Sequence, residues 1–402
     1  MGAQPPDGDP APTDGRLPAS ALAVREFGVY VHVPFCASRC GYCDFNTYTA
    51  AELGDAGSVP GYLEAAAAEI GLAAEVLGPA DRPVSTVFFG GGTPTLLEPR
   101  QIGELLAAIR DRFGLLADTE VTCEANPDSV TAADLVELRA AGITRMSFGM
   151  QSTSTRALAV LDRTHTPGRA IAAIAEARAA GFEHVNVDLI YATPGESATE
   201  LIETVQAAAE SGVDHVSAYA LIVEAGTRLA AQVAHGEVVA TQDDHVAEHY
   251  VIVDDLLSAA GFDWYEVSNW AKSGAECRHN LGYWRGIDWW GIGPGAHSHV
   301  GGVRWWNVRH PAAYAERLAV GVSPAQSREV LSGEDRRIED VLLRLRLRAG
   351  LPLDVLNPLG RSAAAAAAER GLLEPTALVD GLAVLTQNGR LLADAVVRDL
   401  VD

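Results

Sequence analysis

The stretch Tyr30-Val31-His32-Val33-Pro34-Phe35-Cys36-Ala37-Ser38-Arg39-Cys40-Gly41-Tyr42-Cys43 decides the fold. Its first residues read as the end of a β-strand, Val29–Val33, and its second half puts three cysteines on the loop directly after that strand. Three thiolates at this spacing can hold three irons of a [4Fe–4S] cube and leave the fourth iron open to a substrate or cofactor. Structural zinc usually takes four closed ligands in paired groups, and no second pair exists, since Cys123 and Cys277 stand alone. A disulfide needs an oxidising compartment that nothing in the sequence suggests.

Outward from this loop, short β-rich runs alternate with Ala/Leu/Glu segments of helical period, the pattern of an α/β chain with a parallel sheet wrapped by helices. The runs Val29–Val33, Ser85–Phe89, Thr119–Glu124, Arg145–Gly149, His184–Ile190 and His215–Ala220 predict six strands. Helices are expected near Tyr62–Leu77, Pro99–Phe113, Ala132–Ala141, Pro167–Ala180, Ala198–Ser211 and Asp243–Ala260. Six βα units suit an open partial barrel and fall short of an eight-unit one. Residues 1–22 read as a disordered Pro/Gly-rich tail and 23–261 as the barrel. Five of the seven tryptophans lie between Tyr283 and Asn307, which marks 262–310 as a Gly/Trp-rich connecting region. Residues 311–402, with the charged run Glu334–Arg348, the alanines Ala363–Ala368 and a hairpin-like Leu382–Asp394, read as a small helix-rich α+β module, with a winged helix as one form open to it.

A chain of 402 residues with 48% hydrophobic content can bury a large core. Its formal charge of −23 argues against a nucleic-acid surface, which needs clustered Lys and Arg. No apolar stretch approaches a membrane span and no basic-then-apolar leader opens the chain, so a cytoplasmic protein is expected, with membrane association at most through a partner.

Further polar signals fall just after later strands, and in parallel βα barrels the carboxyl ends of the strands form the active face. Gly90-Gly91-Gly92-Thr93-Pro94 lets the backbone approach a ligand closely and expose N–H groups to a carboxylate or phosphate, although a plain tight turn reads the same way. Glu124, in Glu124-Ala125-Asn126-Pro127, suits a ribose hydroxyl or an ammonium group; the alternative is a surface carboxylate. Gln151 can donate and accept at once, and Arg163 can grip a carboxylate by a forked contact or simply be solvated. Asp188 is a charge in an apolar strand and must be paired or face a cavity.

Together these residues resemble the radical S-adenosylmethionine superfamily, and within it the branch of the oxygen-independent coproporphyrinogen III oxidases and the heme chaperone HemW. The resemblance runs from Val29 to the C-terminus and rests on the CxxxCxxC run, GGGTP, ENP and Asp188-Leu189-Ile190-Tyr191-Ala192-Thr193-Pro194-Gly195. It implies a partial (β/α)6 radical S-adenosylmethionine barrel in which Cys36, Cys40 and Cys43 bind a [4Fe–4S] cluster. Tyr30, Tyr42, Gly91, Gly92, Thr93, Glu124, Gln151, Arg163 and Asp188 would surround S-adenosylmethionine. Two departures favour the chaperone branch and argue against coproporphyrinogen oxidase activity. The oxidases carry a further cysteine two residues after the third, where this chain has Phe45, and they lack the HNxxYW motif found here as His279-Asn280-Leu281-Gly282-Tyr283-Trp284. The resemblance therefore implies heme as a third bound group, with His279 as candidate axial ligand, Arg278 and Arg285 as propionate partners, and Cys277, His297 and His299 as rival ligands. Alternatively, the His-Asn pair fixes its loop against the barrel. The implied partners are a heme donor, heme-acceptor proteins and an electron donor for the cluster, and no nucleic acid.

Overall fold

Alternation along the first long strand sets the architecture. Phe27, Val29, Val31 and Val33 are all buried, whereas Gly28, Tyr30 and His32 point the other way, so one face meets helices and the other lines a concave interior. The computed structural model describes residues 8–53, 57–79 and 81–401. Its strands are β1 (Asp9–Pro10), β2 (Phe27–Val33), β3 (Val84–Gly91), β4 (Leu115–Ala125), β5 (Arg145–Gln151), β6 (His184–Tyr191) and β7 (His215–Ala220). They are followed by β8 (Asp263–Glu266), β9 (Asn269–Ala271), β10 (Asp288–Ile292), β11 (His297–Val300), β12 (Val303–Asn307), β13 (Ala325–Val330), β14 (Leu351–Pro352) and β15 (Leu382–Ala383).

The six expected barrel strands are β2 to β7, parallel and in chain order, with the expected helices between them. The helix Pro99–Phe113 shows why they pack: Ile102, Leu105, Leu106 and Ile109 recur at helical spacing, and all four are buried against the sheet. Capping boxes at Thr131 with Asp134 and at Ser197 with Glu200 start two of the barrel helices by satisfying their first free amides.

The sheet continues beyond the barrel on both sides. Its order is β1-β13-β12-β11-β10-β2-β3-β4-β5-β6-β7-β9-β8, with β10 parallel to β2 and β10 to β13 antiparallel in sequence. The region 262–310 thus supplies five strands to the sheet and a helix, a correction to its reading as a connector: its strands share the barrel's core, with Trp290 and Trp305 edge to face at 4.8 Å. The tail needs correcting too. Residues 1–7 lie outside the described residues, but Asp9 and Pro10 pair with Arg328 and Ser327, and Ala11, Leu17 and Leu22 pack on the core. A proline-rich composition hides this, because the order comes from a sheet edge far along the chain.

The module boundary also shifts. The helix Pro311–Ala319 packs on Val59–Leu77 through Tyr314, Leu318 and Ala65, whereas the second core draws on Val341, Leu345, Leu356, Ala364, Val396 and Leu400. The expected hairpin over Leu382–Asp394 does not form. β15 pairs with β14, and Thr386 caps the short helix Gln387–Leu391 by accepting from Gly389 N. Arg390 ties this module to the barrel by a two-pronged contact with the buried Asp254, at 2.6 and 2.8 Å.

One knot holds the added strands to the barrel. Glu69, fully buried, accepts hydrogen bonds from Tyr314 Oη (2.5 Å), Asn307 Nδ2 (2.8 Å), Gly293 N (2.8 Å) and Trp290 Nε1 (3.4 Å). Burial pushes its carboxyl up to about 7 against the pull of these donors. The folded protein therefore keeps a proton that the unfolded chain releases near 4.5, so this residue's contribution falls as pH rises from 4.5 to about 7. Glu69→Gln should flatten the stability slope in that window, read from urea midpoints at several pH values. It should also cost about 2 kcal/mol, because its amide NH2 faces donors.

Candidate functional site

The cysteine loop is pinned at both ends. Cys36 N donates to Tyr48 O (3.0 Å) and Tyr48 N to Pro34 O (2.7 Å), while Gly41 N donates to Leu161 O (3.1 Å). Cys36, Cys40 and Cys43 form no disulfide and are half-buried, and Arg163 Nη1 stands 3.5 Å from Cys40 Sγ. Burial is the main force raising the Cys36 and Cys43 thiols, the latter to about 11, and the neighbouring cysteines add to it. A ligand that draws off their protons must supply positive charge, as iron does. Among the described residues no three His, Cys, Asp or Glu side chains close around a single ion. Three thiols on one loop, with an arginine beside one of them, are the donor chemistry that a cluster with thiolates on separate irons takes.

The glycine turn after β3 fits as well. A Cβ on Gly92 would lie 2.3 Å from Phe35 O and 3.0 Å from Cys36 Sγ, and Gly91 has φ +110°, so neither position admits a side chain without displacing the loop. The expectation that its amides are exposed to an anion does not hold. Gly92 N donates to Val33 O and Thr93 N to Phe35 O, both at 2.8 Å, and Gly91 N to Glu124 Oε2 at 3.1 Å. These amides fix the turn to the end of β2, and Thr93 also hydrogen-bonds the Cys36 thiol.

The remaining expected residues converge on the same end of the barrel. Tyr30, Glu124 and Asp188 line an interior cavity of about 130 Å³ with Ser147, Asn186 and Ser217. Burial foremost, then the charge of Asp188, pushes Glu124 up to about 8. Burial also raises Asp188, opposed by hydrogen bonds from Ser217, Asn186 and Ser147. Two half-buried carboxyl groups facing one cavity invite a cation or hydroxyl donors. Gln151 ends β5 in the left-handed region at φ 66°, a strained conformation for a non-glycine residue. Both Gln151 and Arg163 crowd Gly149, whose carbonyl accepts from Arg163 Nη2 at 3.0 Å. Tyr42 is buried within reach of Cys40, Arg163, Cys43 and Asp188.

His279 lines the floor of this same cavity. The helix Arg278–Arg285 closes the opposite end of the barrel, where the strands begin. His279 Nδ1 shares a hydrogen bond with Thr86 Oγ1 (2.8 Å) and Nε2 with Tyr283 Oη (2.9 Å), while its amide donates to Glu120 Oε1 (3.0 Å). Burial lowers its imidazole to about 3. Both ring nitrogens are thus engaged, and ligation of a heme iron by His279 would require Thr86 or Tyr283 to give up its hydrogen bond. Arg278 pairs with Asp118, and Cys277 is buried beside Glu120 and pushed up to about 12, chiefly by burial. The motif floors the interior cavity through His279, Asn280 and Tyr283.

A larger cleft went unread in the sequence. It encloses about 650 Å³ beside the cysteine loop, between Asp44, Phe45 and Asn46 on one wall, Trp289, His297, Arg304 and Trp306 on another, and Glu339 and Leu343 of the helix Gly333–Arg344. Its signal was the alternation in Trp289-Trp290 and His297-Ser298-His299, which puts every second residue on the concave face.

The family model of the Radical SAM superfamily matches residues 30–208. The chain is 56% identical over 378 residues to the heme chaperone HemW of Mycobacterium tuberculosis, covering 94% of this chain and 95% of that protein. It is 33% identical to the heme chaperone HemW of Bacillus subtilis, covering 91% and 97%. The structure of the coproporphyrinogen III oxidase of Escherichia coli superposes with a TM-score of 0.78 at 25% identity, covering 95% of this chain and 91% of that one.

Cys40→Ala and Gly92→Ala should each abolish or severely reduce iron and sulfide uptake on anaerobic reconstitution, the first by removing a ligand and the second by displacing the loop. Retention of a full iron complement in Cys40→Ala would refute the ligand assignment. His279→Ala should lower the thermal midpoint, through a lost pair of buried hydrogen bonds, without lowering iron content.

Proposed function

The chain belongs to the HemW heme chaperone family of the radical S-adenosylmethionine superfamily, and from that membership we propose that it binds a [4Fe–4S] cluster, S-adenosylmethionine and heme and delivers heme to acceptor proteins. The observation that carries this reading over coproporphyrinogen oxidation is Phe45. It occupies the place of the oxidases' further cysteine and, 59% exposed, turns an apolar face into the large cleft.

Bound together, cluster and S-adenosylmethionine supply a one-electron reductive cleavage of the sulfonium to methionine and a 5′-deoxyadenosyl radical. The protein's own part is placement. Cys36, Cys40 and Cys43 hold three irons, with the Arg163 guanidinium beside Cys40 Sγ to offset thiolate charge. Glu124, already fixed by Gly91 N, is placed to accept from ribose hydroxyls, and Asp188 adds negative charge for the sulfonium or ammonium group. Tyr30 and Phe88, stacked at 6.2 Å, give a flat wall. Gln151, Gly92, Thr93 and Tyr42 complete the surround.

A heme donor, heme acceptors and an electron donor are the partners this role requires. No helix among the described residues is long and apolar enough to cross a membrane. The test is anaerobic titration of the reconstituted protein with heme, with coproporphyrinogen conversion assayed on the same sample in the presence of S-adenosylmethionine and a reductant. Saturable heme binding without conversion, and transfer of the heme to an apo-cytochrome, is the expected result. Conversion to protoporphyrinogen would make the protein an oxidase and overturn the chaperone reading.

A further inference from the structure

We propose that the 650 Å³ cleft beside the cysteine loop is the heme seat and that His297 is the axial ligand of the iron. The inference rests on the heme-binding reading above and locates the site that reading leaves open.

The cleft has the size of a small-molecule site, and its walls are chiefly aromatic and apolar: Phe45, Tyr283, Trp289, Ala296, Trp306 and Leu343. Flat rings of this kind suit a macrocycle. Two histidines line it. His32 has both ring nitrogens engaged, Nδ1 with Tyr30 Oη (3.0 Å) and Nε2 with Asn46 O (2.9 Å). His297 is exposed to the cleft, and its ring nitrogens make no hydrogen bond to another described residue. His299, on the same face, is buried with Nδ1 toward Ile287 O and its ring against Trp289.

His297 is also held still. It opens β11, paired with Trp306 of β12; its ring stacks on that indole at 5.9 Å and 28°, and its carbonyl accepts from Trp289 Nε1 at 3.1 Å. A ligand carried on a strand and braced by an indole needs little ordering on binding. Burial first, then Arg304 and Arg309, keep the imidazole neutral, the form that binds iron.

The charges around the rim suit a dianionic macrocycle. Arg304 and Arg309 both line the cleft. Arg304 is shared with Glu329 (2.7 Å) and Glu339 (2.6 Å), which join β12 to β13 and to the helix Gly333–Arg344. A propionate competing for Arg304 would loosen Glu339 and with it the cleft's outer wall, so loading and release of heme engage the C-terminal module. The opposite wall is the cysteine loop itself, through Asp44, Phe45 and Asn46.

The experiment is anaerobic heme titration of the reconstituted full-length protein and of His297→Ala, Leu343→Glu and His279→Ala, followed by absorption and EPR spectroscopy. In His297→Ala the wild-type axial-ligand signature should disappear and the dissociation constant rise at least about tenfold, with added imidazole restoring the spectrum. Leu343→Glu, on the module and on a wall of the cleft that holds no cluster ligand, should weaken binding by a similar factor while leaving cluster absorption intact. His279→Ala should retain the wild-type heme spectrum. Wild-type heme spectra and affinity in His297→Ala would overturn the assignment of the ligand and leave the chaperone reading standing. Failure of the wild-type protein itself to bind heme would overturn the chaperone reading and this inference with it.

Discussion

The parallel ladders on both sides of β2 are the constraint on which the rest depends. β3 on one side and β10 on the other fix its direction and its facing, so the chain after Val33 must leave at the mouth of the barrel. The same register fixes which residues point inward. Slip it by one position and Phe27, Val29, Val31 and Val33 would face the polar cavity while Tyr30 and His32 entered the apolar core. The cysteine loop is therefore a consequence of strand packing as much as of its own sequence. Gly92 transmits that register across the loop, since its lack of a Cβ lets Phe35 and Cys36 lie against the end of β3.

At the mouth the groups assembled are electrostatically incomplete. Three half-buried thiols, of which burial raises two, stand near two half-buried carboxyls, of which Glu124 is raised to about 8. Arg163 is placed against the thiols, with its Nε lacking a hydrogen-bond partner. Such a constellation is unfavourable in the isolated fold, and bound positive charge relieves it: iron at the thiolates, ammonium or sulfonium at the carboxyls. The strained Gln151 belongs to the same pattern, a local cost held in place by a rigid strand.

The barrel was legible because its signals are local. Val29–Val33 or Pro99–Phe113 carry their period within a few residues, and CxxxCxxC carries its chemistry in eight. What escaped depends on partners distant in sequence. Asp9 and Pro10 order against Arg328 and Ser327. β15 pairs with β14 rather than folding back on its own neighbours. His279 illustrates the difficulty most directly: its motif implied a ligand, yet Thr86 and Tyr283 occupy both nitrogens. Chemical suitability is written in the residue, but availability is written in the fold. His297 is the converse, read from the sequence only as a rival ligand, yet carried by its strand with ring nitrogens that no other described residue engages.

The two ends of the barrel thus divide the labour. At the start of the strands, Glu120 receives the amide of His279, the thiol of Cys277 and the guanidinium of Arg145, which leaves Arg145 Nη1 as the one unpartnered donor of the set. A network this densely bonded gives the strands a fixed base. At the other end, donors and acceptors remain in surplus, and the sheet does not close but runs on through β10 to β13. That extension gives the open cavity a second wall of indoles, and Glu69 anchors it from behind by joining Trp290, Gly293, Asn307 and Tyr314. A closed base and an open, aromatic-walled mouth suit a protein that must hold a large flat cargo near the cluster and also let it go.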